Sequence, residues 1–152
     1  MGKVFITTYT YENVLNILDI IRVCVIKGRF VISQNTNRAE NIEFLARYNL
    51  TTAKIKDIIL KIEADDFCYG LHNDNVGFEH EILFVFCPQI ELAYGSKAEV
   101  VDIYSKFNII EDKRVVMISF HQRNYPIEYL FRSKDTDKPE KSENKREEGE
   151  YE

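Results

Sequence analysis

Apolar positions follow two alternating rhythms along this chain, one of helical and one of strand period. In "TYENVLNILDI" the residues Val14, Ile17, Leu18 and Ile21 fall on one helical stripe, with Thr10 placed to cap it. "RVCVIKGRFVIS" (22–33) is rich in β-branched residues and broken by Gly28. It reads as an extended strand with a kink, or as a continuation of the helix from Ile20 to Lys27. Asn37 and Glu40 have capping-box spacing and open a second helix, with Ile42, Leu45 and Tyr48 inward and Asn49 as its left-handed stop. "TTAKIKDIILKIEADDF" (51–67) restarts at Thr51 or Thr52 and turns Ile55, Ile58, Ile59 and Ile62 inward, so the two helices form an αα-hairpin.

After the turn chemistry of "NDNVG" (73–77) the period drops to two. "EILFVFC" (81–87) is apolar on both faces, as a central strand is, and "AEVVDIYSKFNII" (98–110) and "KRVVMISFH" (113–121) follow. "PQIELAYGSK" is either a long hairpin loop or a further short strand from Ile90 to Tyr94, and "YPIEYLF" (125–131) suits an edge strand opened by Pro126. Helices first and a meander afterwards predict an α+β fold, with N-terminal helices packed on one face of an antiparallel β-meander.

Composition adds boundaries. The chain has 152 residues, 45% of them hydrophobic, enough for one core over residues 1–132. Residues 133–152 carry 5 basic and 8 acidic side chains and almost nothing apolar, which predicts a disordered tail. The formal net charge is −5, of which the tail supplies −3, so the body stands near neutrality and any basic surface must be local. No apolar run has membrane-spanning length, and the start lacks a secretory pattern. Three cysteines without tight spacing, Cys24, Cys68 and Cys87, are expected to be reduced and buried, which places the protein in the cytoplasm.

Candidate chemistry lies where "VVMISFHQ" (115–122) delivers an imidazole at the end of a buried strand. If the bend around Glu111 and Asp112 has two or four residues, Lys106 pairs with Met117, Tyr104 with Ser119 and Asp102 with His121, all on one sheet face. An odd bend would turn His121 to the face opposite Tyr104. A phenol, an ammonium, an imidazole, a hydroxyl and a carboxylate on one near-polar face meet the needs of RNA cleavage without a metal. His121 serves as base and acid, Lys106 stabilises phosphorane charge, and Tyr104 stacks on a base or donates a proton. Asp102 is placed to orient His121, with Ser119 beside it. Alternating polar positions are also what any half-exposed sheet shows.

The segment from Asn41 to Arg132 resembles the motility quorum-sensing regulator (MqsR) group of bacterial toxin–antitoxin toxins. The resemblance rests on "EADDFCYG", "ILFVF", "DIYSK", "VVMISFH" and "YPIEYLFR". It implies a compact fold similar to RelE-type toxins, endoribonuclease activity on mRNA without a metal or other cofactor, and neutralisation by a cognate antitoxin. The tyrosine and lysine of the family's Ile-Tyr-x-Lys strand fall on Tyr104 and Lys106, and the residue after Ser-Phe falls on His121. The best-known member of the group has lysine there, so the imidazole changes the acid–base assignment.

Arg114, Arg123 and Arg132 are expected near the strand ends around His121 and are the candidates for RNA backbone contact; Arg38, Arg47, Lys54 and Lys56 lie on helices, where solvated charge is ordinary. Cys68, His72, His80 and Cys87 match no zinc spacing, and no glycine-rich phosphate loop is present. The rival reading is a non-catalytic binding protein on the same scaffold, docking a protein partner through a sheet edge or the charged tail in a mobile-element or regulatory role.

Overall fold

The first helix is set by its two ends. In a computed structural model, which describes residues 4–33 and 39–132, helix α1 (Tyr11–Ile26) opens on a reciprocal cap. The Asn13 amide donates to Thr10 Oγ1 at 3.0 Å, and the Thr10 amide donates to Asn13 Oδ1 at 2.9 Å. It closes on a Schellman motif: Arg29 N donates to Cys24 O and Gly28 N to Val25 O, with Gly28 at φ +77°. The β-branched stretch therefore continues the helix and does not form a strand before Gly28. Burial of Val14, Leu18, Ile21 and Val25 on one stripe outweighs the strand preference of Val23, Val25 and Ile26.

Helix α2 (Ala39–Arg47) and helix α3 (Thr52–Leu60) follow each other as expected, joined through Asn49 at φ 52° with Thr51 capping α3. They do not pair as a hairpin: α2 packs on the strand Arg114–Gln122 and α3 on α1. Asn37 lies outside the described residues, as does Arg38. The inner face of α2 is Asn41, Phe44 and Tyr48, whereas Ile42, expected inward, is 65% exposed. Ile55, Ile58, Ile59 and Ile62 are all buried, although α3 itself ends at Leu60. The segment expected to extend it makes one 3-10 turn at Ala64–Asp66 and then strand β2 (Phe67–His72).

The remaining strands are β1 (Phe30–Ile32), β3 (Ile82–Phe86), β4 (Gln89–Tyr94), β5 (Lys97–Ile110) and β6 (Arg114–Gln122). Their order is β1-β6-β5-β3-β2, with β4 paired to the first half of β5. Every pairing is antiparallel except β1 with β6, so the sheet is mixed and not a pure meander. The fold is α+β: the helices pack on one face, over Ile103, Phe107, Met117 and Phe120.

The other face departs from expectation. "YPIEYLF" is not an edge strand: residues 123–132 cross the sheet as a strap, and Leu130 N donates to Phe67 O at 3.0 Å. Ile127 and Tyr129 from this strap cover a second apolar cluster of Cys68, Tyr69, Leu71, Val85, Cys87 and Tyr104. The face read as near-polar thus carries a small core of its own. The predicted tail, 133–152, lies outside the described residues. Among the described residues no helix is long and apolar enough to cross a membrane.

Candidate active site

The β5–β6 bend decides which side chains meet. It has three residues, 111–113, between the paired Ile110 and Arg114, with Glu111 and Asp112 both at positive φ. An odd bend alone would send His121 to the face opposite Tyr104. A bulge cancels it. Phe107 pairs with Met117 but Lys106 pairs with Ser119, so Ile118 is an extra residue on β6. Beyond it the register is Tyr104↔His121, with Lys106↔Ser119 beside it. The pairings expected from an even bend are therefore wrong, yet Tyr104, Lys106, Ser119 and His121 still share a face.

The bulge is held from the helical layer. β1 pairs only with residues 115–117 of β6, leaving the next stretch of β6 edge unpaired by a strand. The buried Asn41 amide takes over there: Oδ1 accepts from Phe120 N at 2.9 Å and Nδ2 donates to Ile118 O at 3.1 Å.

Tyr104 and His121 stack, with ring centroids 5.3 Å apart and planes 23° from parallel. Tyr125 lies 6.0 Å from Tyr104, and Lys106 Nζ is 6.0 Å from the same ring. Tyr104 is only 5% exposed, so its ring is not open to a nucleobase, contrary to the stacking role expected of it. Burial, reinforced by hydrogen bonding among the Tyr125 and Tyr69 hydroxyls, raises its pKa far above the usual phenol value, and the group stays protonated.

His121 is half-buried, and its Nδ1 lies 2.9 Å from the Gln122 carbonyl oxygen. A carbonyl only accepts, so the neutral ring carries its proton on Nδ1 and keeps the lone pair on Nε2. The ring lines a cleft of about 440 Å³ with Glu40, Glu43, Arg47, Gln122 and Asn124. Arg47, one of the helix cations, stands 4.5 Å from the Tyr94 ring centroid.

Other expected site residues are placed elsewhere. Asp102 does not orient His121; its Oδ2 accepts from Arg123 Nε at 3.2 Å and Nη2 at 3.0 Å. Arg123 is thereby committed, and its Nη1 also donates to Tyr125 O at 3.0 Å. Arg132 is a brace under the strap: it stacks 3.7 Å over Tyr129, donates to Asp66 Oδ1 at 2.8 Å and to Asp65 O at 3.1 Å. Arg114 stands at the opposite end of β6 from His121, so the three arginines do not cluster.

The cysteines are free and buried. Burial, with Cys87 beside it, pushes the Cys68 thiol far up, and burial pushes Cys87 up to about 12. Both are poor nucleophiles and poor metal ligands as a result. His72 Nδ1 lies 3.0 Å from the Glu79 carbonyl oxygen. Among the described residues no group of three or more His, Cys, Asp or Glu side chains is arranged to hold a metal ion.

Asn41, Arg47 and Tyr125 were not expected at the site. A signal existed for Asn41, a polar residue at a core position of the 41/44/48 stripe. No family model matches the chain, and no curated protein matches it.

Proposed function

We propose that this protein is an endoribonuclease that cleaves single-stranded mRNA in the cytoplasm, the toxin of a toxin–antitoxin pair similar to the MqsR group. The observation that carries the reading is the Tyr104–His121 stack, which presents a correctly tautomerised imidazole at the rim of an open cleft.

His121 Nε2 takes the proton of a ribose 2′-hydroxyl as its oxygen bonds to phosphorus. The bond from phosphorus to the 5′-oxygen then breaks, and the imidazolium returns the proton to that oxygen. The products are a 2′,3′-cyclic phosphate and a 5′-hydroxyl, and no co-reactant is consumed. Lys106 approaches from the sheet face to offset charge on the phosphorane, and Tyr104 positions the imidazole. A cognate antitoxin acts by covering this cleft.

Incubation with a defined single-stranded RNA in chelator tests the reading. Cleavage is expected from the unmodified chain and a loss of ~100-fold or more in His121→Ala, the usual weight of a proton-transfer group. Lys106→Ala is expected to slow it as well, and both substitutions to relieve growth arrest on expression. Intact RNA together with unaffected growth overturns it.

A second reading is favoured by the commitment of Arg123 and Arg132 to internal bonds and by the covered outer face. In it the scaffold binds a protein partner without catalysis. A pull-down whose partner is lost on deletion of residues 133–152, with RNA left intact, is its signature.

A further inference from the structure

A second cleft lies at the other end of β6. It has a volume of about 410 Å³, and Arg29, Lys113 and Arg114 line it with one carboxylate, Glu111. The parallel register Phe30↔Val115 sets Arg29 beside Arg114 on adjacent strands, with backbones about 4.8 Å apart. The backbone of Arg29 is fixed on both sides, by its amide on Cys24 O at 2.8 Å and its carbonyl on Val115 N at 3.0 Å. All three cationic side chains are exposed, and none makes a hydrogen bond or ion pair with a described residue. Like charges on neighbouring strands repel. In a body whose net charge is otherwise slightly negative, three cations without a side-chain partner among the described residues, gathered around a concavity, fit an anionic ligand.

We infer that this cleft is a phosphate-binding exosite for the backbone of single-stranded RNA, formed by Arg29, Lys113 and Arg114. It rests on the proposed nuclease reading for the identity of the strand, not for the anion chemistry. Arg114 and His121 are ~20 Å apart by strand rise, so one strand of several nucleotides can occupy both clefts. The forked guanidiniums match phosphate oxygens in pairs, and Lys113 adds a point charge. Contacts of this kind hold and orient a strand without reading its bases.

Fluorescence anisotropy with an end-labelled 15-nucleotide oligouridine tests the cleft. The full chain carrying His121→Ala is used, so that the probe stays intact. Adding Arg29→Gln, Lys113→Gln and Arg114→Gln together is expected to weaken binding by at least ~10-fold at low salt. The slope of log affinity against log salt is expected to fall by about 2, the single-strand contribution of three cations. Arg29→Lys with Arg114→Lys, which keeps the charges and loses the forks, is expected to keep the salt slope and to lose less affinity than the glutamine set. Removing three exposed lysines elsewhere, by Lys54→Gln, Lys61→Gln and Lys97→Gln, leaves it within twofold.

An equal loss in that control set overturns the assignment, because net charge alone then explains it. So does displacement of the probe by a uridine monophosphate or a glutamate oligomer as effective as unlabelled RNA. Binding that depends on the three residues in a chain that never cleaves RNA keeps the exosite and removes the nuclease.

Discussion

Asn41 binds the backbone of Phe120 from a helix 79 residues earlier in the chain, where no strand reaches the β6 edge. One side chain supplies the acceptor and, toward Ile118, the donor that an adjacent strand would have supplied. The bulge it braces returns His121 to the face of Tyr104 after a bend of the wrong parity. A structural contact in the helical layer thus underlies the arrangement of the site.

Asn41→Ala leaves the buried Phe120 amide and the part-buried Ile118 carbonyl on β6 without this partner. Each such group costs about 1–3 kcal/mol, so the substitution is expected to lower stability by ~2–4 kcal/mol. Urea unfolding checks it, with a lower midpoint at unchanged slope. The neighbouring Ile42→Ala, at a position 65% exposed, is expected to change stability by less than about 0.5 kcal/mol. Equal losses for the two would mean that Asn41 only fills space.

Helical stripes were legible in the sequence because Val14, Leu18 and Ile21, or Ile55, Ile58 and Ile59, repeat at a period that one buried face imposes. The strands within 81–87, 98–110 and 113–121 were legible as well, the first from an apolar run on both faces and the other two from a period of two. Strand β2 was not: "FCYGLH" contains Gly70, where a Cβ would stand 2.9 Å from the Tyr9 hydroxyl. The demand for glycine there comes from packing, which local pattern does not encode. The grouping of Tyr104, Lys106, Ser119 and His121 was foreseen although its register was not, because the odd bend and the bulge compensate. The bulge depends on Asn41, and no rule of neighbouring residues reports so distant a contact. Asp102, Arg123 and Arg132 were misplaced because free charge and paired charge look alike in a sequence.

Alkaline pH should destabilise this protein steeply. Burial raises the Cys87 thiol from 9.0 to about 12, and burial also raises Cys68, Tyr69, Tyr104 and Tyr129. A raised pKa favours the folded state only while the group is protonated. Its contribution is complete below the unfolded value and is lost as pH climbs toward the folded one. Between pH 9 and 12 the Cys87 thiol alone accounts for at most about 1.4 kcal/mol per pH unit. Denaturant titrations from pH 8 to 11 are expected to show falling stability, with a shallower fall in Cys87→Ala. Native protein at pH 8 is expected to resist thiol reagents at Cys68 and Cys87 until unfolded. A flat stability profile, or stoichiometric labelling of folded protein, contradicts this.

The Tyr104 ring positions His121, and two substitutions separate its ring from its hydroxyl. Tyr104→Phe keeps the surface that lies 5.3 Å from the imidazole centroid and removes only the hydroxyl shared with Tyr69 and Tyr125. Tyr104→Leu keeps apolar volume but removes the ring. Since the phenol is 5% exposed and stays protonated, RNA cleavage is expected to fall less than ~3-fold in the Phe variant and ~10-fold or more in the Leu variant. KM should be unchanged in both, because a covered ring makes no contact with substrate. An independent readout is the proton spectrum of His121, whose ring protons are shifted by the stacked neighbour. That shift is expected to survive in Tyr104→Phe and to disappear in Tyr104→Leu. If Tyr104→Phe instead loses as much activity as His121→Ala, the hydroxyl itself transfers a proton, and the positioning role is wrong. The conserved shift in the same variant would then show that the geometry was intact and the chemistry was lost.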